Sequence, residues 1–220
     1  MRRPFTFATL AALALSACAE NPADSVPKAE ISAPAAIVEK TAAVTPAGTP
    51  AASAGALVIA PDTSKVEFIG SKVTGSHSGG FKAFNGTAEL TPDKSALASI
   101  KVDIDMNSTW ADDEKLTGHL KAPDFFDVAK FPKSTFETTE IKPGGDKGAT
   151  HTITGNLILH GVTKAITFPA KVEFKDDGVT ITSEFAINRK DFGIVYGGQT
   201  DNLIRDEVVI KLNVKAPKKA

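Results

Sequence analysis

A single cysteine, Cys18, among 220 residues leaves no partner for an internal disulfide, so the folded part must stand on its own core. It also leaves any metal site to four histidines, His77, His119, His151 and His160. None of them pair at ligand spacing, and no metal is expected. Charge of one sign is lacking as well. Residues 1–56 carry four basic and four acidic side chains, and the rest of the chain carries 21 and 22. No segment therefore has the basic footprint of a nucleic-acid binder, and nucleic acid is not an expected partner. Gly-x-Ser-x-Gly elbows and P-loops are absent. Asp103 and Asp105 alternate along one strand, where solvation explains them better than paired catalysis, and Asp112, Asp113 and Glu114 read as a helix start. No catalytic residue is assigned, and the protein is not expected to be an enzyme.

Long apolar runs are scarce too. The longest, Phe5 to Leu15, is too short for a permanent membrane span. It follows Met1-Arg2-Arg3 and leads into Leu15-Ser16-Ala17-Cys18, which makes residues 1–17 an export signal. The small-residue box ending in Cys18 is of the bacterial lipoprotein kind, in which the cysteine thiol takes a diacylglyceryl group after cleavage. Each buried methylene of such an anchor contributes about 0.8 kcal/mol. Ala19, where retention at the inner membrane usually shows Asp, favours the outer membrane. The expected location is the periplasm, lipid-anchored to the envelope. Residues 18–56, rich in Ala, Pro, Thr, Ser and Val, read as a disordered tether with a mean reach of roughly 35 Å. The folded domain is expected over 57–220.

Within that domain, apolar residues alternate with polar ones. Ile100, Val102, Ile104 and Met106 share one face, as do Val208, Ile210, Leu212 and Val214. Ile166, Phe168, Ala170, Val172 and Phe174 form another such set, and Val179, Ile181, Phe185 and Ile187 a fourth, interrupted by Ser183. Each reads as a half-buried antiparallel strand. Turn sequences at Thr91–Lys94, Pro143–Gly148, His160–Thr163 and Asp176–Gly178 separate the strands. About eight strands are predicted, with one helix over Asp112–Leu120 that Ser108 or Thr109 could cap and Pro123 ends. The fold class is all-β: an eight-stranded antiparallel barrel with one short helical insertion. Eight staves leave an interior that side chains can fill or that holds one small ligand. Alternation alone leaves both readings open.

The most unusual stretch is 119–137, where Phe125, Phe126, Phe131 and Phe136 sit among prolines and charges. It reads either as a plug at the end of a β-domain or as a lid over a cavity. Gly79, Gly80 and Gly86 lie in a strand-rich region, where glycine marks a bulge, a barrel corner or a close approach. Arg189, in Asn188-Arg189-Lys190-Asp191-Phe192-Gly193, reads first as a structural ion pair, with Asp191 or Asp127 as partner, and second as a contact for an anionic head group.

Taken together, His77–Gly86, Leu116–Lys121 running into Asp124-Phe125-Phe126-Asp127, Phe131-Pro132, Gly155-Asn156-Leu157, His160–Lys164 and Asn188–Gly193 resemble the YceI family. The resemblance spans roughly residues 60–215. It implies a lipocalin-like barrel whose long apolar channel holds a polyisoprenoid lipid, either an isoprenoid quinone or a polyprenyl phosphate, with no other cofactor. It also implies a periplasmic location and a tendency of two copies to pair as a homodimer. Expected channel walls are Phe81, Phe84, Ile104, Trp110, Phe125, Phe126, Phe136 and Phe185; His119, Asp127 and Arg189 are expected at the mouth. Cys18 is the expected lipidation site. The rival expectation is an envelope structural or interaction module with a filled barrel and no ligand.

Overall fold

The computed structural model describes residues 20–35, 56–146, 148–200 and 202–218. The expected signal, Cys18 and most of the expected tether lie outside the described residues. The strands are β1 (Glu30–Ser32), β2 (Leu57–Ile59), β3 (Lys65–Lys72), β4 (Gly75–Phe81), β5 (Phe84–Leu90), β6 (Leu97–Asp105) and β7 (Thr109–Ala111). After the helix α1 (Glu114–Lys121) come β8 (Lys133–Pro143), β9 (His151–Leu159), β10 (Val162–Lys175), β11 (Gly178–Asn188), the short pair β12 (Gly198–Gln199) and β13 (Asn202–Leu203), and β14 (Glu207–Pro217).

The main sheet runs in the order β2-β5-β6-β8-β9-β10-β11-β14-β3-β4-β7, every neighbour antiparallel. Apart from the short β2, which flanks β5, its two ends belong to the same pair of bent strands. β4 turns into β5 across Lys82-Ala83, and β6 reaches β7 through one 3-10 turn at Met106–Ser108. The bent strands pair along both arms, Phe81 opposite Thr109 and Phe84 opposite Ile104. Counting each bent strand once and leaving aside the three-residue β2, which only flanks β5, gives eight staves, so the expected barrel stands although the strands number more than eight. Closure of this kind removes the free edges that an open sheet would expose.

Glycine makes the corner. A Cβ on Gly79 would lie 2.6 Å from the Trp110 carbonyl oxygen, and one on Gly80 would lie 2.8 Å from that of Val66. The backbones pass too closely for a side chain. Ser108 then locks the bend: its carbonyl accepts from the Lys82 N–H at 3.2 Å and its hydroxyl oxygen from the Ala83 N–H at 2.9 Å.

Alternation places the expected faces inward. Ile100, Val102 and Ile104 of β6, Ile166, Phe168, Ala170 and Val172 of β10, and Val179, Ile181, Phe185 and Ile187 of β11 are all buried. Burying a side chain of this size contributes about 1.5–3 kcal/mol, which is what holds the wall curled round its core. Phe174, expected on the same face, is exposed beside the β10–β11 hairpin, although Val179 opposite it is buried.

Two expectations are corrected. The helix starts later than predicted and its cap is Asp113, whose carboxylate accepts from the Leu116 N–H at 2.8 Å. Thr109 is not available as a cap because it lies in β7, paired with β4. The second correction concerns the tether. Its described part, residues 20–35, packs against the barrel as a strap. Ala23 is buried against Ala186 and Val209, the Ala29 N–H donates to the Ala186 carbonyl at 2.8 Å, and the Ala186 N–H donates to that of Pro27 at 2.9 Å. β1 then pairs with Ala165–Thr167 of β10. The strap thus lies between β10 and β11 where their own ladder, confined to Lys171–Lys175 and Gly178–Thr182, has ended. Asn156 closes it by bonding both ways with the Ala35 backbone, at 3.0 and 2.8 Å.

Candidate functional site: an apolar cavity under an aromatic lid

The barrel interior is not full. Several inward residues, among them Phe136, Leu157, Ile210 and Leu212, pack on the buried core yet stay only partly buried. Their uncovered surface faces a cavity of about 220 Å³. It extends from Ile181 and Val214, toward the β10–β11 hairpin, to the undersides of Phe125, Phe126, Ile194 and Ile204.

The covering is a second apolar cluster. Leu120 of α1, Phe125 from the loop after it, Ile194 from the segment after β11 and Phe68 of β3 form its buried centre. Pro123 follows the last turn of the helix and sends the chain back over the barrel. There Phe126 meets Phe68 and Phe81 with each pair of ring centres 5.8–6.1 Å apart, a tilted and edge-on triangle. Deeper, Phe168 stacks on Phe185 at 4.2 Å and touches Phe136 at 5.8 Å. Of the 119–137 stretch, the part from Leu120 to Phe126 is therefore a lid over a void, while Phe136 belongs to the β8 wall and Phe131 packs on His160.

Among the described residues, three polar ones line the cavity: Ser134, Arg189 and Arg205. The Ser134 hydroxyl donates to the Ile158 carbonyl at 2.7 Å, which neutralises it within the wall. Arg189 is buried, and its guanidinium is spent on the lid segment. Nη1 donates to the Ile194 carbonyl at 2.8 Å, Nε to that of Arg205 at 3.1 Å, and Nη2 to Asp206 Oδ1 at 3.3 Å. Burial lowers its pKa from the usual arginine range, and Asp206 opposes that shift. The ion pair is thus present, but its partner is Asp206 and neither Asp191 nor Asp127. Lys190 joins it, 2.8 Å from the other oxygen of Asp206.

Of the residues singled out from the sequence, Phe81, Ile104, Phe125, Phe126, Phe136, Phe185 and Arg189 line the cavity. Phe84 lies in the buried core but off the cavity wall. Trp110 lies in β7 beside Gly80, also off the wall. His119 is on the outer side of the lid, its ring edge-on to Phe125 at 4.9 Å and to Tyr196 at 5.2 Å, with Nε2 3.2 Å from Asp124. Asp127 forms a backbone turn: its φ is 45°, its N–H donates to the Ala122 carbonyl at 3.0 Å, and its carbonyl accepts from Phe131 at 2.8 Å. Neither lies on the cavity lining, because the helix and its return loop turn these polar groups outward. Sequence reasoning missed Val66 and Phe68, which alternate inward along β3, and Leu157, Leu212 and Phe168, whose alternation was visible or adjacent to a noted motif. Arg205 had no such signal, since it sits in the short connection before β14.

A hollow antiparallel barrel with an apolar interior and a helical lid defines a class of all-β domains built around an internal cavity. Within that class the chain belongs to the family of YceI-like domains, whose profile matches residues 57–216. A UPF0312 protein of Pseudomonas putida is 33% identical over 139 residues, covering 60% of this chain and 71% of its own. Protein YceI of Salmonella newport is 36% identical over 122 residues, covering 53% and 62%. Among solved structures, Burkholderia cenocepacia BcnA is similar with a TM-score of 0.63 and 26% identity, over 72% of this chain and 99% of that one. A polyisoprenoid binding domain from Saccharophagus degradans shares the fold at a TM-score of 0.56 and 18% identity, over 73% and 99%.

Proposed function

We propose that this chain is an exported, lipid-anchored binding protein that holds a polyisoprenoid lipid, either an isoprenoid quinone or a polyprenyl phosphate, for carriage or sequestration. The observation that carries this reading is the cavity: a void of about 220 Å³ lined almost wholly by aliphatic and aromatic side chains. Such a void favours an apolar guest at about 25 cal/mol per Å² buried. It exceeds the roughly 150 Å³ that admits a benzene-sized guest and falls below the roughly 300–1,000 Å³ of ordinary ligand clefts. The interior therefore takes the first isoprene units of a tail, and a longer tail displaces the lid. The Saccharophagus degradans domain of the same fold, described as polyisoprenoid binding, supports this choice of guest. The void itself argues against a packed, ligand-free module.

The residues support binding with no chemistry on the guest. Arg189, the one buried cation on the cavity wall, is committed to backbone carbonyls and Asp206. Export and anchoring rest on the sequence of residues 1–18. Native mass spectrometry and lipid extraction of the chain, purified gently from its own host, test the binding. A bound prenyl lipid is expected; a ligand-free chain that takes up neither a quinone nor a polyprenol overturns it. Cys18→Ser is expected to release the folded chain from the membrane, and continued membrane retention would refute the anchor.

A further inference from the structure

We infer that the lid end of the barrel is a membrane-docking face: its rim of Val73, Val195 and Leu203 dips into the lipid bilayer, and the strap fixes the barrel with its cavity over that surface.

Two independent observations lead there. The first is where exposed apolar side chains collect. Val195, Leu203 and Val73 are 67%, 52% and 41% exposed. They belong to one rim: the Val73 N–H donates to the Leu203 carbonyl at 3.1 Å, the Ile204 N–H donates to that of Gly197 at 3.0 Å, and Lys72 bridges to Ile204. Ile194 and Ile204 line the cavity, while their chain neighbours Val195 and Leu203 face solvent. A wall one residue thick thus separates the cavity from the apolar rim. The other large exposed apolar residues, Val58, Ile158 and Phe174, are spread over β2, β9 and the hairpin end of β10. Single exposed apolar side chains are ordinary; a cluster on the rim of a cavity marks a contact surface.

The second observation is where the strap begins. Asn21 caps its first turn and accepts from the Ser71 hydroxyl at 3.4 Å, and the Ser71 carbonyl accepts from the Arg205 N–H at 2.9 Å. Ala23 is buried against Val209 near the start of β14, and Lys28 pairs with Glu207 at 3.1 Å. The chain therefore joins the barrel at its lid end. Cys18 precedes Asn21 by three positions, which allows a reach of only about 10 Å. A free tether of the expected length would have reached roughly 35 Å and left the orientation open. With the strap docked, an acylated Cys18 holds the lid end at the lipid surface, where the rim side chains are buried and a prenyl tail passes between bilayer and cavity without crossing water.

This inference rests on the lipid-anchor reading, and the test separates the two. The full chain is recovered from bacterial membranes and reconstituted in vesicles of phosphatidylethanolamine and phosphatidylglycerol containing brominated lipid. Val195→Trp and Phe174→Trp are compared, each read against the Trp110 signal of the unaltered chain. Flotation with the vesicles reports the anchor, and tryptophan quenching reports the orientation. The expected result is flotation of both, with the Val195→Trp emission blue-shifted and quenched by about half, as for side chains sunk 5–10 Å into the interface, and the Phe174→Trp emission unchanged. Flotation with equal quenching at the two sites, or with quenching at Phe174→Trp alone, overturns the docking face and leaves the anchor standing. A chain that stays behind at the bottom of the gradient overturns the anchor and the orientation with it. A blue shift of Val195→Trp that grows with protein concentration in the absence of vesicles assigns the rim to a second copy, and also overturns the inference.

Discussion

Leu157→Trp puts the hollowness of the barrel to a direct test. Leu157 lies opposite Phe136 in the β8–β9 ladder, lines the cavity, and is only partly buried although it points inward. An indole at this position has two energetically opposite fates. In an interior packed to normal density it forces neighbours off their rotamers at a cost of about 1–3 kcal/mol. In a void of about 220 Å³ it enters empty space, and the added buried surface stabilises by about 1–2 kcal/mol at 25 cal/mol per Å². For a domain of this size each kcal/mol moves the melting temperature by about 2–4 °C. Thermal unfolding of the delipidated chain, followed by circular dichroism, is therefore expected to show a midpoint raised by a few degrees. Uptake of a prenyl quinone, followed by fluorescence or extraction, should be lost in the same variant. A lowered midpoint would mean the interior is already filled; a raised midpoint with unchanged uptake would place the guest elsewhere.

Three further outcomes are expected. Arg189→Met strips hydrogen bonds from the carbonyls of Ile194 and Arg205 and leaves Asp206 with Lys190 alone. Asp206 is 37% exposed and keeps Lys190, so the cost is that of leaving these carbonyls unpaired, about 1–3 kcal/mol; urea unfolding should shift accordingly and amide exchange over 194–206 should rise; losses of affinity for a phosphorylated prenol and for a quinone should be equal, and a loss confined to the phosphate would show that Arg189 reads the head group. Gly79→Ala sets a Cβ against the Trp110 carbonyl and the Phe68 ring, with an expected cost of about 1–3 kcal/mol by chemical denaturation; a variant as stable as the parent would show that the corner has slack. The Lys28 hydrogen bond holds the Glu207 carboxyl below the usual carboxylate range, so its contribution to strap docking is complete above the unfolded value of about 4.3 and fades as pH falls through the lowered folded value. The effect is under about 1 kcal/mol for so exposed a pair, visible as loosening of the Ala29 amide by NMR on acidification, and Lys28→Gln should remove that pH dependence; an unaltered dependence would place its origin in another group.

How much of this was legible in the sequence differs by element. Alternation along Ile100–Ile104 and Val179–Ile187 reported which face is inward, because a strand has a period of two and the core takes one side. The glycines before Phe81 and the phenylalanines after Pro123 stood out by their misfit with ordinary strand patterns, but a corner and a lid were each only one of the readings they left open. The strap was illegible. It is held by backbone bonds from Pro27 to Ala35, by the small buried residue Ala23 and by Val26, Ala29 and Ile31, which are only partly buried, and so few scattered small side chains leave no readable apolar pattern in the chain. His119 and Asp127 were drawn to the mouth because they flank the lid phenylalanines, but the return of the chain after α1 turns them outward.

By itself the chain of residues determined an all-β wall of about eight staves with one short helix, since local periodicity, turn residues and proline positions act within a few residues of one another. Whether that wall is hollow depends on the distance between side chains on opposite staves, and alternation carries no information about that distance. The partner of Arg189, the seat of the strap and the gathering of Val73, Val195 and Leu203 on one rim join residues far apart in the chain. Those were decided only when the sheet curled and brought them together.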